Sequence, residues 1–555
     1  MINRNWCKAV LDETEAKSRM AYVKGYSDIF ETGEQQQNKI YVLGDVGTGK
    51  STFCKMMIEN WCHAVTRTPE RIESNKEQKE TKCNVVKGWR DGVRHMGQYE
   101  FLFFIPLQYM SAFKSDDTID MIKELTNHLT SNTDLIDKIF QKDSRSCLII
   151  ADSLDEWTPP KDFVRKPHVS YGIPNGDRLN DATVITLSRP SAKVILNLKN
   201  SEFDIKLQLL GISEESLMLF IERYCSKLNS PEKSYKFFEI LKSKQIEHMT
   251  KTPLFLQQLL FLYCNGYELG NSVSETYCHI LNTMLGWSDH KTEEQNNDER
   301  HTVKPNTFIS LPTMVHKFPR LEANKHVLIR LGKIAFETYT SGSIRTTFEQ
   351  SFLMKNDITK GDIEELTQFG ILNKSNCCDR ILEDTQFDII HISYLEFFAA
   401  LYFVTFYNME QTTSVEHELF HKCNSASDVL QLSNFIRMSC GLSPGVISDL
   451  SKQISCIVNK DEHVLHIRRK EGLNLHDEIV QIQSLMFNCL KECGSEDTTM
   501  ISLSDLVIKF DVPIPPLQRI KPDDVISLTC GHTSEHMLDF FSKCNNLQYI
   551  HINCL

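Results

Sequence analysis

Four short, mostly apolar runs mark the first part of the chain: Ile40–Leu43, Glu100–Leu107, Cys147–Ala151 and Thr183–Leu187. Their length predicts strands buried on both faces. The helix-patterned IDMIKELTNHL (Ile119 to Leu129) between two of them predicts a crossover, so the pattern is that of a parallel α/β sheet with flanking helices. From about residue 210 the spacing turns helical, in EESLMLFIERYC, TPLFLQQLLFLYC, HVLIRLGKIAFETY and SYLEFFAALYFVTFY. Residues 1–37 are polar, with helical spacing of Ala9, Val10, Met20, Ala21 and Val23, and QQQN links them to the buried run KIYVLGD. The charged stretch over about 66–98 predicts a surface insertion. SDHKTEEQNNDERHTVKPN (Ser288 to Asn306) predicts a linker.

The C-terminal stretch has a different rhythm. VISLTC and YIHINC place Ile526, Leu528 and Cys530 against Ile550, Ile552 and Cys554, a period of 24 with the helix-like MLDFFSKCNNL between them. That period falls in the leucine-rich-repeat range, one strand and one helix per repeat. Two β-like hexamers can also match by coincidence.

Composition narrows the classes. The chain has 555 residues, 41% hydrophobic and 24% charged, which suits more than one globular unit. A net charge of −12 argues against a broad electrostatic grip on nucleic acid or anionic membrane. The 18 cysteines include no CxxC pair, against zinc ribbons and thioredoxin-like sites. The start, MINRNWCKAVLDETEAK, has no apolar run of the kind a signal peptide needs. The longest apolar run, Phe397 to Phe406, is about half a membrane span. The expectation is a cytoplasmic protein with free thiols and no transmembrane segment.

The candidate chemistry begins at YVLGDVGTGKSTF. Gly44-Asp45-Val46-Gly47-Thr48-Gly49-Lys50-Ser51 matches GxxxxGK[ST] in full, followed by Thr52. Glycines let the backbone N–H groups converge on phosphate oxygens, Lys50 reaches the β/γ-phosphates and the Ser51 hydroxyl ligates Mg²⁺. The bland alternative is a Gly-rich turn, but the strand before it and the helix-like TFCKMMIENWC after it are the context a phosphate loop requires. Downstream, CLIIADSLDEW ends a strand in Asp152, then Asp155 and Glu156. Acids at the carboxyl ends of parallel strands face the ligand crevice. Asp152 fits the Mg²⁺-supporting role, and Glu156 or Asp155 the orienting of water. TVITLSRP ends in Arg189, placed to sense a γ-phosphate. An acidic turn and a surface salt bridge are the plain structural alternatives.

Together these motifs resemble the NACHT family of signal-transduction NTPases, the group containing the NOD-like receptors. LIIADSLDE resembles that family's extended acidic motif, with Ser153 at its small position, and TLSRP resembles its sensor motif. KTPLFLQQLLFLY resembles the segment whose proline, here Pro253, sits over the adenine. FDIIHISYLEFFAALYF resembles the end of the winged-helix domain, with His391 at the position that contacts the β-phosphate of ADP. Read from the residues alone, Pro253 also fits a helix first turn, His391 a core histidine, and Tyr394, Phe397, Phe398 and Phe403 core positions.

The resemblance implies an α/β P-loop NTPase domain over 38–209, after a helical N-terminal linker over 1–37. A helical domain over 210–287 and a linker over 288–318 follow. A winged-helix domain over 319–405, a second helical domain over 406–500 and the start of leucine-rich repeats over 501–555 complete the layout. It also implies a switch in intracellular signalling or innate immune sensing, closed with ADP, open and self-associating with ATP and Mg²⁺, reset by slow hydrolysis, and taking an unknown ligand through its repeats. No death-fold or caspase-recruitment domain fits within 1–37. A steadily turning-over remodelling ATPase acting on a macromolecule and a non-hydrolysing nucleotide-binding scaffold are the alternatives; no further catalytic constellation is visible.

Overall fold

The computed structural model describes residues 7–10, 20–23, 27–32, 35–44, 47–66, 92–110, 113, 115–127, 134–157, 173–190, 198, 202–243, 250, 252–286, 310–341, 346–374, 385–407, 419–421, 423–469, 478–494, 498–508, 516–531 and 535–552. Most of the polar insertion (67–91) and the linker Ser288 to Asn306 lie outside these described residues. The chain divides into two compact units, Met1–Cys264 and Asn265–Leu555.

The first unit is an α/β layer structure. Its strands are β1 (Cys7–Val10), β2 (Met20–Tyr22), β3 (Lys39–Leu43), β4 (Phe101–Pro106), β5 (Cys147–Asp152), β6 (Thr183–Ser188) and β7 (Ile205–Leu209). They form one sheet in the order β2-β1-β7-β3-β6-β5-β4. The five strands from β7 to β4 are parallel, and β1 and β2 add antiparallel at one edge. The four apolar runs are therefore strands as expected. The fifth, IKLQL, alternates apolar and polar, with Ile205, Leu207 and Leu209 buried, so it lacks the continuous run that marks the others. Asp204 Oδ2 accepts from the backbone N–H groups of Asn38 (2.7 Å) and Lys39 (2.8 Å), pinning the start of β3 beside β7.

Within the stretch expected to be helical, Ser27–Phe30 is a short helix, but Cys7–Val10 and Met20–Tyr22 are strands. Lys8, Ala9 and Val10 pair with Tyr22, Ala21 and Met20, and β1 pairs in turn with β7. A short polar segment has weak local preference, and the open backbone edge of β7 offers ladder bonds that a local helix cannot match.

Helix α1 (Lys50–Thr66) buries Phe53, Cys54 and Met57 in a core cluster with Ile40, Val42, Leu148, Ile150, Ile185 and Leu187. The second cluster includes Tyr41, Ile149 and Ala151 of the sheet, and takes Ile119, Met121 and Ile122 from α2 (Thr118–Thr126) and Ile136 and Phe140 from α3 (Asp134–Lys142). Helices α4 (Glu214–Lys227), α5 (Lys233–Ser243) and α6 (Pro253–Cys264) complete the unit.

The second unit is mostly helical, and it begins inside the stretch expected to form the first helical domain. It includes α7 (Val273–Met284), α8 (Lys325–Ser341), α9 (Lys360–Gln368), α10 (Ile392–Tyr407), α11 (Ser433–Leu442), α12 (Ile447–Val458), α13 (Glu462–Ile467) and α14 (Glu478–Cys493). In the stretch expected as a linker to 318, Leu311, Val315 and Phe318 are buried. α10 is apolar on all sides and packs against α8 and α11. Tyr394, Phe397, Phe398 and Phe403 are buried, as core residues should be. Each such side chain contributes about 1.5–3 kcal/mol when removed from water. Among the described residues, no helix is long and apolar enough to cross a membrane.

Two small sheets flank these helices. Strands β8 (Thr347–Glu349), β9 (Leu372–Lys374) and β10 (Gln386–Ile389) form an antiparallel sheet with β10 central. Strands β11 (Asp505–Ile508), β12 (Ser527–Cys530) and β13 (Tyr549–Ile552) form a parallel one. Asp505 faces Ser527 and Ser527 faces Tyr549, a step of 22 residues each time. The period is thus 22 rather than 24, over three strands rather than two. Strand alternation has period two, so a two-residue slip keeps every side chain on its face, and pattern alone cannot separate the two registers. Between β12 and β13 lies α15 (Glu535–Phe541). The open edge of β11 is met by Gln483 of α14: its Oε1 accepts from Val507 N (2.8 Å) and its Nε2 donates to Val507 O (2.9 Å).

Candidate functional site

The site stands at the carboxyl ends of β3, β5 and β6. β3 lies between β6 and β7, so the chain leaves it in one direction and returns on its other side. Such a reversal opens a crevice beyond the strand ends.

The loop from Gly44 to Gly49 turns β3 into α1. Gly47 has φ +77° and Gly49 φ +99°, both in the left-handed region. At Gly47 a Cβ would also stand 2.7 Å from Thr252 Cγ2 and 2.9 Å from Leu254 Cβ, so glycine is required twice over. Gly44 N donates to Ser188 O (3.1 Å), tying the loop to β6. Phe53 N donates to Gly49 O (2.8 Å), the first turn of α1. Lys50, the first residue of that helix, donates from Nζ to Gly44 O at 2.7 Å, folding its ammonium back over the loop. Thr48 is buried, while Ser51 and Thr52 are exposed. Asp45 and Val46 lie outside the described residues.

Asp152 ends β5, buried, and its carboxylate is hydrogen-bonded to the Ser51 hydroxyl. Burial pushes its carboxyl above the usual range. The Ser51 bond and the Lys50 charge act against this, while the Asp155 charge adds to it. Its Oδ1 is buried with no hydrogen-bond partner, and so is Ser188 Oγ at the end of β6. An under-compensated carboxylate oxygen beside a hydroxyl fits a hard divalent cation. Mg²⁺ is held by one or two protein oxygens plus phosphate and water rather than by a full protein cage. Among the described residues no group of three or more His, Cys, Asp or Glu is arranged to hold a metal.

Ser153, at φ +65°, sits in the left-handed region without being glycine. That turn sends the chain from Asp152 into the short 3-10 segment Leu154–Glu156. A small polar residue carries the left-handed conformation at modest cost. The result sets Asp155 against Arg189: Arg189 Nε lies 2.8 Å from Asp155 Oδ2, with both side chains about nine-tenths buried, and Arg189 N donates to Asp155 Oδ1 at 3.2 Å. The structure thus commits Asp155 to Arg189, which the sequence left as two separate candidates. Glu156 is half-buried beside them.

Pro253 opens α6, and the next residue touches the loop: Leu254 N donates to Gly47 O at 3.3 Å. Helix α6 therefore starts against the backbone of the Gly44–Gly49 loop. Thr252 and Leu254 were not among the sequence candidates, and no local pattern marks them. His391 belongs to the second unit, immediately before α10. Its Nδ1 lies 2.8 Å from Ser393 Oγ and accepts from Ser393 N at 3.2 Å. The fold thus brings together Gly44, Gly47, Thr48, Gly49, Lys50, Ser51, Thr52, Asp152, Asp155, Glu156, Arg189 and Pro253 within one unit. Compared with known proteins, the chain matches no family model and no curated sequence.

Proposed function

We propose that this chain is a nucleotide-dependent switch of the NACHT type, closed with ADP and open with ATP. One observation carries the reading: a strand–loop–helix turn with glycines at positive φ presents Lys50 and Ser51 beside a buried carboxylate, Asp152, that has one oxygen unpaired. Lys50 would hold the β/γ-phosphates, and Ser51 and Asp152 would hold Mg²⁺, whose charge neutralises the phosphates. The start of α6 adds backbone contact where an adenine-side proline is expected. The small antiparallel sheet with α9 and α10 supports the winged-helix reading. The three parallel strands at a step of 22 support leucine-rich repeats. A role in signalling or innate immune sensing rests on the resemblance alone, and a cytoplasmic location on the free-thiol composition.

Asp155 is held by Arg189, and we assign the water-orienting role to Glu156, with Asp155 as the alternative. Glu156→Gln should slow hydrolysis by about 10²–10⁴-fold while leaving ATP affinity nearly unchanged, since only the orienting charge is lost. Single-turnover phosphate release and equilibrium ATP binding measure the two quantities. If Asp155→Asn slows release while Glu156→Gln does not, the role belongs to Asp155.

The switch itself is tested at His391. Under this reading its imidazole donates to the β-phosphate of ADP, and a hydrogen bond to a charged group contributes about 1.5–3 kcal/mol. His391→Leu should then release ADP roughly 10- to 150-fold faster and self-associate without a stimulus. Stopped-flow ADP release and light scattering decide. Wild-type release and wild-type size would reduce His391 to a core histidine.

A further inference from the structure

Three side chains of the second unit form a hydrogen-bonded chain that ends on His391. Tyr277 of α7 donates its hydroxyl to Ser393 Oγ at 2.6 Å. Ser393 Oγ lies 2.8 Å from His391 Nδ1. The backbone N–H of Ser393 points at the same nitrogen, at 3.2 Å.

The direction of the chain follows from its members. A backbone N–H can only donate, so Nδ1 must present its lone pair. The Ser393 hydroxyl then donates to Nδ1 as well, and it can do so because its own oxygen is supplied by Tyr277. Tyr277 is fully buried, and burial holds its phenol well above the ordinary range, so it stays a donor. Its ring is fixed edge-on to Tyr394 at 4.9 Å and stacked on Phe397 at 5.5 Å. Ser393 is fully buried at the start of α10, and His391 O accepts from Tyr394 N at 3.0 Å, which fixes the backbone on either side of it.

We propose that Ser393 and Tyr277 are positioning residues that lock His391 in the tautomer with a bare Nδ1 and the hydrogen on Nε2. A neutral imidazole so held is an oriented donor through Nε2, the form that suits an anionic oxygen. The opposite tautomer would turn a lone pair toward that oxygen. The acceptor's identity as a nucleotide phosphate rests on the switch reading, whereas the lock stands on the second unit alone.

The test uses the full chain labelled with ¹⁵N-histidine, with the His391 signals identified by their loss in His391→Leu. In the nucleotide-free wild type, Nδ1 should resonate as an unprotonated imidazole nitrogen and Nε2 as a protonated one. Ser393→Ala should populate the opposite tautomer, because only the longer backbone bond remains on Nδ1. Ser393→Thr, which keeps the hydroxyl, should restore the wild-type pattern and shows that the change is not unfolding. Tyr277→Phe should give a smaller shift in the same direction. A protonated Nδ1 in wild type, or an unchanged tautomer in Ser393→Ala, overturns the lock. ADP-release rates on the same proteins separate the two ideas. A tautomer lost in Ser393→Ala together with release at least tenfold faster supports both. A tautomer lost with wild-type release keeps the lock and removes the phosphate from His391.

Discussion

Replacing Glu492 by alanine should destabilise the second unit by about 3–5 kcal/mol, the loss typical when one member of a buried ion pair is removed. Glu492, near the end of α14, is almost completely buried. Its Oε1 accepts from Arg437 Nε at 2.9 Å and Nη2 at 2.7 Å. The same carboxylate takes the first N–H groups of α7, from Val273 at 3.3 Å and Ser274 at 3.2 Å. One side chain thus joins α14, α11 and the N-terminus of α7, whose dipole favours the negative charge. Alanine leaves a largely buried guanidinium and two helix N–H groups without their partner. Glu492→Gln keeps the shape and loses the charge, so it should fall between the two. Denaturant unfolding, followed by the transition of this unit, measures the difference. A loss under about 1 kcal/mol in Glu492→Ala would mean that water replaces the carboxylate at little cost, and the staple would lose its place in the stability of the unit.

Lys50→Ala should weaken ATP binding by about 3 kcal/mol, roughly 150-fold in Kd, as two charge-assisted phosphate contacts are lost. The ammonium already lies over the loop, 2.7 Å from Gly44 O, so little rearrangement is needed to meet a phosphate there. Removing it also takes from the buried Asp152 a positive charge that favours its ionised form, alongside the hydrogen bonds from Ser51 and the Ser153 backbone. Mg²⁺ dependence should therefore change with affinity. Ser51→Ala, which removes only the hydroxyl beside Asp152, should affect mainly the Mg²⁺ dependence. Isothermal titration with ATP, with and without Mg²⁺, separates the two variants. Wild-type affinity in Lys50→Ala would end the phosphate-loop assignment and the switch built on it.

The residues determine by themselves what depends on neighbours in sequence. Val42 and Ile149 mark buried strands because a parallel strand between two helical layers has no polar face to show. Gly47, Gly49, Lys50 and Ser51 mark the turn because left-handed φ, a cation and a hydroxyl must occur at that spacing. Asp152 is legible as the last residue of its strand for the same reason. Tertiary structure decides what needs a partner from afar. Cys7–Val10 and Met20–Tyr22 become strands only because β7 presents an edge. The step of 22 emerges only when Ser527 pairs with Asp505 and Tyr549, since alternation is blind to a shift of two. Asp155, adjacent to Glu156 and chemically alike, finds its partner only when Arg189 arrives from another strand. Tyr277 meets Ser393 across more than a hundred residues of chain, where no periodicity reaches. Hydrogen bonds and ion pairs are short-ranged and directional, so their partners are fixed by packing, and packing is a property of the folded chain rather than of any window along it.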